Sequence, residues 1–132
     1  MPNLDFAFVD VFAEAALNGN PLAVVKGGDD LADDTLRAVA REFNQAETTF
    51  VLAPVAAGAD RKLRSFTASG AEVFGAGHNA LGAWLWMGEL GNLGALSSPQ
   101  IFQQEIGTDV LPIELARIDT PASKRRPRKR GR

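Results

Sequence analysis

A chain of 132 residues, 45% hydrophobic and 23% charged, is one ordinary domain at most and has enough apolar content for a core. It contains no cysteine, which excludes disulfides, thiolate zinc sites and cysteine catalysis. The net charge of −2 hides a split: residues 1–123 carry 7 Lys+Arg against 16 Asp+Glu, whereas residues 124–132 carry 7 basic side chains and no acid.

The start, Met1-Pro2-Asn3-Leu4-Asp5, lacks the basic and apolar regions of a signal peptide and predicts a cytoplasmic protein. Phe6 to Phe12, rich in Phe and Val, predicts a buried strand. Asn18-Gly19-Asn20-Pro21 is a turn signal, since Asn and Gly tolerate positive φ and Pro fixes the exit. Leu22 to Val25 returns as a second strand, expected to lie antiparallel to the first. Leu31 to Phe43 is an amphipathic helix: Leu31, Leu36, Val39, Ala40 and Phe43 fall near one stripe, and Asp33, Asp34, Arg37, Arg41 and Glu42 near the other. Acids at its start and arginines toward its end complement the helix dipole, and Asn44 is a stop.

Thr48 to Ala53 predicts a strand closed by Pro54, and Val55 to Asp60 a loop of small residues. Lys62 to Thr67 alternates polar and apolar, as a strand with one wet face does. Ala68 to Ala71 turns the chain. Then comes Gly75-Ala76-Gly77-His78 and the apolar segment Ala80 to Met87. A helix hydrophobic all round belongs inside a fold, and at about eight residues it is far short of the roughly 20 that a membrane span needs. Two further strands, Ile101 to Ile106 and Val110 to Ile118, flank a turn at Gly107-Thr108-Asp109. The fold class is α+β: a curled mixed or antiparallel sheet wrapped around a central apolar helix. The domain is expected to end at 118, and residues 119–132, with no apolar residue after Ala122, to form a disordered basic tail.

Two stretches could carry chemistry. Glu47, where helix gives way to strand, is either a solvated residue or a general acid or base partly removed from water. His78 is the only histidine; it is either structural or poised at a helix start whose free N–H groups suit a carboxylate or phosphate. No second His or Cys and no acidic cluster with ligand spacing accompanies it, so no metal is expected. Gly75-Ala76-Gly77 lacks the third glycine of a dinucleotide fingerprint.

These stretches, with Asp10-Val11-Phe12 and Gly19-Asn20-Pro21-Leu22-Ala23-Val24-Val25, resemble the phenazine-biosynthesis PhzF-like isomerases, which have a diaminopimelate-epimerase-like fold. The resemblance runs through Ala40-Arg41-Glu42-Phe43-Asn44, Glu47-Thr48-Thr49-Phe50-Val51-Leu52, Phe66-Thr67, Glu72 and Ala76-Gly77-His78. It is strong from Leu4 to about Leu90 and weaker to about Ile118. It implies one of two similar halves, each a curled sheet around a helix, with the active site between them. It also implies that Glu47 shuttles a proton between carbons of a small carboxylated substrate, with His78 beside it. Asn20, Gly77 and Asn79 would then be substrate-binding positions, and no cofactor would be needed. The departures are Ala46 for serine, Ala68 for proline, Phe74-Gly75 for Pro-Phe, and Asn79-Ala80 for a proline or alanine followed by threonine.

The family's second half, with its catalytic aspartate, has no counterpart here, so the resemblance implies a truncated isomerase that would have to pair with a second copy. The alternative is a non-catalytic half-domain, either a truncated remnant or a binding module whose residues 124–132 bind nucleic acid, for which the basic run is the only sign.

Overall fold

The computed structural model describes residues 4–11, 20–75 and 77–116, with the backbone alone at 10, 11, 20, 21 and 78. The expected tail and the Asn18-Gly19 part of the expected turn lie outside the described residues. Seven strands form one mixed sheet: β1 (Asp5–Val11), β2 (Asn20–Lys26), β3 (Glu47–Leu52), β4 (Arg61–Thr67), β5 (Glu72–Val73), β6 (Gln100–Ile106) and β7 (Asp109–Leu115). Two helices complete the fold, α1 (Asp33–Phe43) and α2 (His78–Glu89). The sheet order is β1-β2-β3-β4-β6-β7, with the short β5 added against β4. The sheet curls without closing, and the architecture is α+β, as expected.

Several details depart from the sequence reading, first that β1, expected as a buried strand, is an edge strand with Phe6 and Phe8 more than half exposed. Asn20 and Pro21, expected in a turn, are the first residues of β2. The ladder tolerates Pro21 because β2 meets β3 only from Leu22 onward, so no β3 carbonyl needs the missing donor there. The β2–β3 and β4–β6 pairs are parallel; each therefore needs a crossover, which α1 and α2 supply. Finally, β5 was not foreseen, and β7 ends at Leu115.

Each helix covers one face of the sheet. α1 packs Leu36 and Ala40, with Leu31, Val39 and Phe43, onto Val25, Phe50, Leu52 and Phe66. Its C-terminus closes at Asn44, in the left-handed region at φ 53, whose N–H donates to the Ala40 carbonyl. α2 sets Ala80, Ala83, Trp84 and Met87 against Leu22, Val24, Val51, Leu63 and Ile106 on the other face. Trp84 is wholly buried, stacks on Phe102 at 5.2 Å between centroids, and donates its indole N–H to Gln104 Oε1 at 2.9 Å.

Burial of α2 is one-sided, however. Leu85 is 47% exposed, and Leu81 and Trp86 are half-buried. The all-round apolar sequence thus exceeds what this sheet covers. No described helix is long and apolar enough to cross a membrane.

The loop after β3 is tied to β6 by one buried carboxylate. Glu105 Oε1 accepts the N–H groups of Ala56 and Val55 at 2.9 and 2.8 Å, and Lys62 Nζ lies 3.8 Å from Oε2. Those two N–H donors, then the lysine charge, hold the Glu105 pKa below the ordinary glutamate range. A depressed folded pKa contributes stability that is complete above the unfolded value of about 4.3 and is lost as pH falls through the lower folded value. Thermal unfolding between pH 6 and pH 3 should therefore show a steeper loss of Tm for the native chain than for Glu105→Gln. Parallel curves for the two would show that Glu105 is not the group responsible.

Candidate functional site

Strand alternation decides what faces α2. On β3, Phe50 and Leu52 turn to the α1 core and Val51 to the α2 core. Glu47 and Thr49 therefore share the face of Val51. On β4, Leu63 faces α2 while Phe66 faces α1, so Ser65 and Thr67 share the α2 face. Glu47 opens β3, paired with Leu22 on one side and Thr67 on the other.

From that face a buried polar chain leads to the start of α2. Thr49 Oγ1 and Ser65 Oγ lie 2.8 Å apart. Ser65 Oγ accepts from Asn79 Nδ2 at 2.9 Å, and the same amide nitrogen donates to the Gly75 carbonyl at 3.0 Å. Asn79 is only 5% exposed, and both N–H bonds of its amide are accounted for. Its side chain thus anchors the glycine turn to the sheet. Gly77 caps the helix without a side-chain hydrogen bond, leaving the first N–H groups of α2 with no intrahelical acceptor.

A second tie fixes the same turn from the other face. Arg64 donates from Nε and Nη2 to both oxygens of Glu72 on β5, at 2.9 and 2.8 Å, and from Nη1 to Asp33 Oδ1 at 2.9 Å. These partners raise the arginine pKa further above its ordinary value, so the guanidinium is always charged. β5 leads directly into Phe74-Gly75 and the α2 start.

Of the residues singled out in the sequence, Asn79 makes these contacts, Gly77 caps the helix two residues before it, and Glu47 opens the strand that carries Thr49. Glu47 lies one same-face position, about 7 Å, along β3 from Thr49. Its Oε1 is buried with no hydrogen-bond partner, one of two such side-chain atoms among the described residues; the other is Thr48 Oγ1. His78 is the first residue of α2, and the Asn20 backbone pairs with Val11 at the same end of β2. Thr49 and Ser65 were missed by sequence reasoning. The available signal was a hydroxyl at each of two strand positions whose same-face neighbours, Val51 and Leu63, are core residues. Among the described residues no group of three His, Asp or Glu side chains is placed to hold a metal ion.

Residues 9–125 match the sequence model of the family described as "Phenazine biosynthesis-like protein". The chain belongs to this family. Among members of the phenazine biosynthesis-like family, it is 42% identical over 83 residues to trans-2,3-dihydro-3-hydroxyanthranilate isomerase of Pseudomonas chlororaphis, covering 63% of this chain and 29% of that one. It is 45% identical over 78 residues to an uncharacterized isomerase of Pasteurella multocida, covering 59% and 27%. The crystal structure of a PhzF-family phenazine biosynthesis protein of Bacillus anthracis superposes with a TM-score of 0.74 at 28% identity, over 86% of this chain and 36% of that one. The aligned region is therefore less than a third of those sequence relatives' own length.

Proposed function

We propose that this chain is the glutamate-bearing half of a PhzF-like isomerase, in which Glu47 moves a proton between two carbons of a small carboxylated substrate. The observation that carries the proposal is the buried, unpartnered Glu47 Oε1 at the end of the sheet where α2 begins. A buried carboxylate oxygen with no donor costs stability, and a catalytic task is one explanation for keeping it. In the proposed step Glu47 takes a proton from one carbon and returns it to another, so nothing is gained or lost overall. The substrate carboxylate sits on the free N–H groups from Gly77 to Asn79, where the helix dipole favours negative charge. His78 is the polar partner beside it, and Asn20 a further substrate contact. No metal or organic cofactor takes part.

The other wall of the cleft comes from a second copy of this chain or from a further segment of the protein. The half-exposed Leu85 flank of α2 supports a partner surface of this kind.

The test is exchange in heavy water. Trans-2,3-dihydro-3-hydroxyanthranilate, the substrate named for the Pseudomonas relative, is incubated with the purified chain, and deuterium at carbon is followed by NMR, with light scattering on the same sample. Uptake by a discrete dimer supports the reading. Absence of exchange from a folded dimer rejects that substrate, and absence across a panel of small unsaturated acids rejects the proton shuttle.

A further inference from the structure

A second cleft lies at the opposite end of the sheet, where β2 and β3 finish and α2 ends. Its volume is about 540 Å³, and its lining includes Lys26, Arg61, Asp29, Val51, Met87 and Asn92. Cavities of roughly 300–1,000 Å³ hold small-molecule ligands. Lys26 ends β2 and Arg61 begins β4, the two strands that flank β3. By alternation from Val24 and Leu63, both of which face α2, Lys26 and Arg61 project on the same face. The register places Lys26 opposite Val51 and Val51 opposite Leu63, so Arg61 is two strand spacings across and two residues along from Lys26, about 12 Å between backbones; the two cations flank the end of β3. Val51 and Met87 supply an apolar floor between them.

Neither cation is neutralised among the described residues. Lys26 Nζ donates only to Asn92 Oδ1, at 3.2 Å, and Arg61 Nη1 only to the neighbouring Asp60 carbonyl, at 2.8 Å. The acid of the lining, Asp29, already accepts the Ala53 N–H through Oδ2 at 2.7 Å. The lining therefore holds two cations against one engaged carboxylate. Half-buried basic side chains in a ligand-sized cleft with an apolar floor match the chemistry of an oxyanion carrying a short apolar body.

We propose that this cleft binds a small organic oxyanion, a carboxylate or a phosphate monoester, between Lys26 and Arg61. The site is separate from the one built around Glu47. The ends of α2, His78 and Glu89, stand about 17 Å apart at 1.5 Å per residue. The inference therefore holds or fails independently of the isomerase reading.

The experiment is a two-dimensional amide NMR titration of the full 132-residue chain at low salt, with inorganic phosphate in one arm and butyrate in the other. Saturable shifts at Lys26, Gly27, Ala53 and Asn92 are expected in at least one arm, and the arm that saturates names the anion. The Lys26→Gln, Arg61→Gln double variant should bind at least tenfold more weakly, the scale of a lost charge-assisted hydrogen bond. Each side chain makes one exposed hydrogen bond among the described residues, so the variant is expected to keep its fold. Each single variant should give an intermediate loss.

Shifts that never saturate in either arm overturn the proposal, as does unchanged affinity in the double variant. Saturable shifts centred on Gly77–Asn79 and absent from the cleft also overturn it, while leaving the anion site at the start of α2 intact.

Discussion

Replacing Trp84 with alanine is expected to cost about 3–5 kcal/mol, the range for removing a large buried aromatic. The side chain is fully buried at the centre of the α2 cluster and stacked on Phe102. Its removal also strips the donor from Gln104 Oε1, whose residue is 4% exposed, and an orphaned buried acceptor adds to the cavity term. Against a total stability of roughly 5–15 kcal/mol, that loss leaves a marginal protein or an unfolded one. Trp86, two residues on and half-buried, is the control: Trp86→Ala removes the same residue type from the open flank and should cost clearly less. Urea unfolding of the three proteins side by side makes the comparison. Equal losses from the two tryptophans would mean that the helix is not oriented as described.

Glu47→Gln is expected to lower solvent-deuterium exchange into substrate by about 10²–10⁴-fold, the usual contribution of a positioned acid or base. Glutamine keeps the shape of the side chain but exchanges one acceptor oxygen for an NH2 donor and cannot take the proton. Stability should hold or rise, because Glu47 Oε1 has no hydrogen-bond partner to lose and a neutral amide relieves the cost of a buried, unpaired carboxylate oxygen. That separation of effects is what distinguishes a chemical role from a structural one. Exchange rates and melting curves are measured on the same preparations. Exchange undiminished in the variant removes Glu47 from the mechanism, and a fall in Tm matching the fall in rate assigns it to the fold instead.

The sequence made the elements legible and their arrangement only partly so. α1 could be read because its apolar stripe, acidic first turn and Asn44 stop all agree, and Asn44 does take the left-handed cap. The direction of β3 beside β2 could not be read, since β-branched residues mark a strand but carry no polarity. β5 escaped because two residues, Glu72 and Val73, cannot show alternation; the Arg64 fork that holds them joins residues eight apart and has no sequence signature. Pro21 misled because proline usually ends a strand, whereas here the partner strand starts one residue later.

At the site, Glu47 and the glycine turn stood out in the sequence, yet Asn79 reads differently in the structure. The N–H bonds of its amide are committed to Ser65 and Gly75, which makes the side chain a strut of the glycine turn. Thr49 and Ser65 looked like ordinary strand residues, because a buried hydroxyl is recognisable only once its partner across the sheet is known.

The sheet also has a seam. Seven Cα pairs register β1 with β2 and six register β3 with β4, but only two, Arg61↔Gln104 and Lys62↔Glu105, join β4 to β6. Beyond that short ladder, the β6–β7 hairpin is held by side chains: Trp84 against Phe102 and Gln104, Ile106 and Leu115 in the α2 core, Glu105 on the Val55 and Ala56 N–H groups, and Asp60 bracketing the Gln103 backbone. Units joined so narrowly open separately. The hairpin is thus a panel hinged on one edge of a sturdier five-stranded body. Its amides should exchange with solvent as a group, at a free energy below that of β2 and β3, while the half of the sheet that carries Glu47 stays shut.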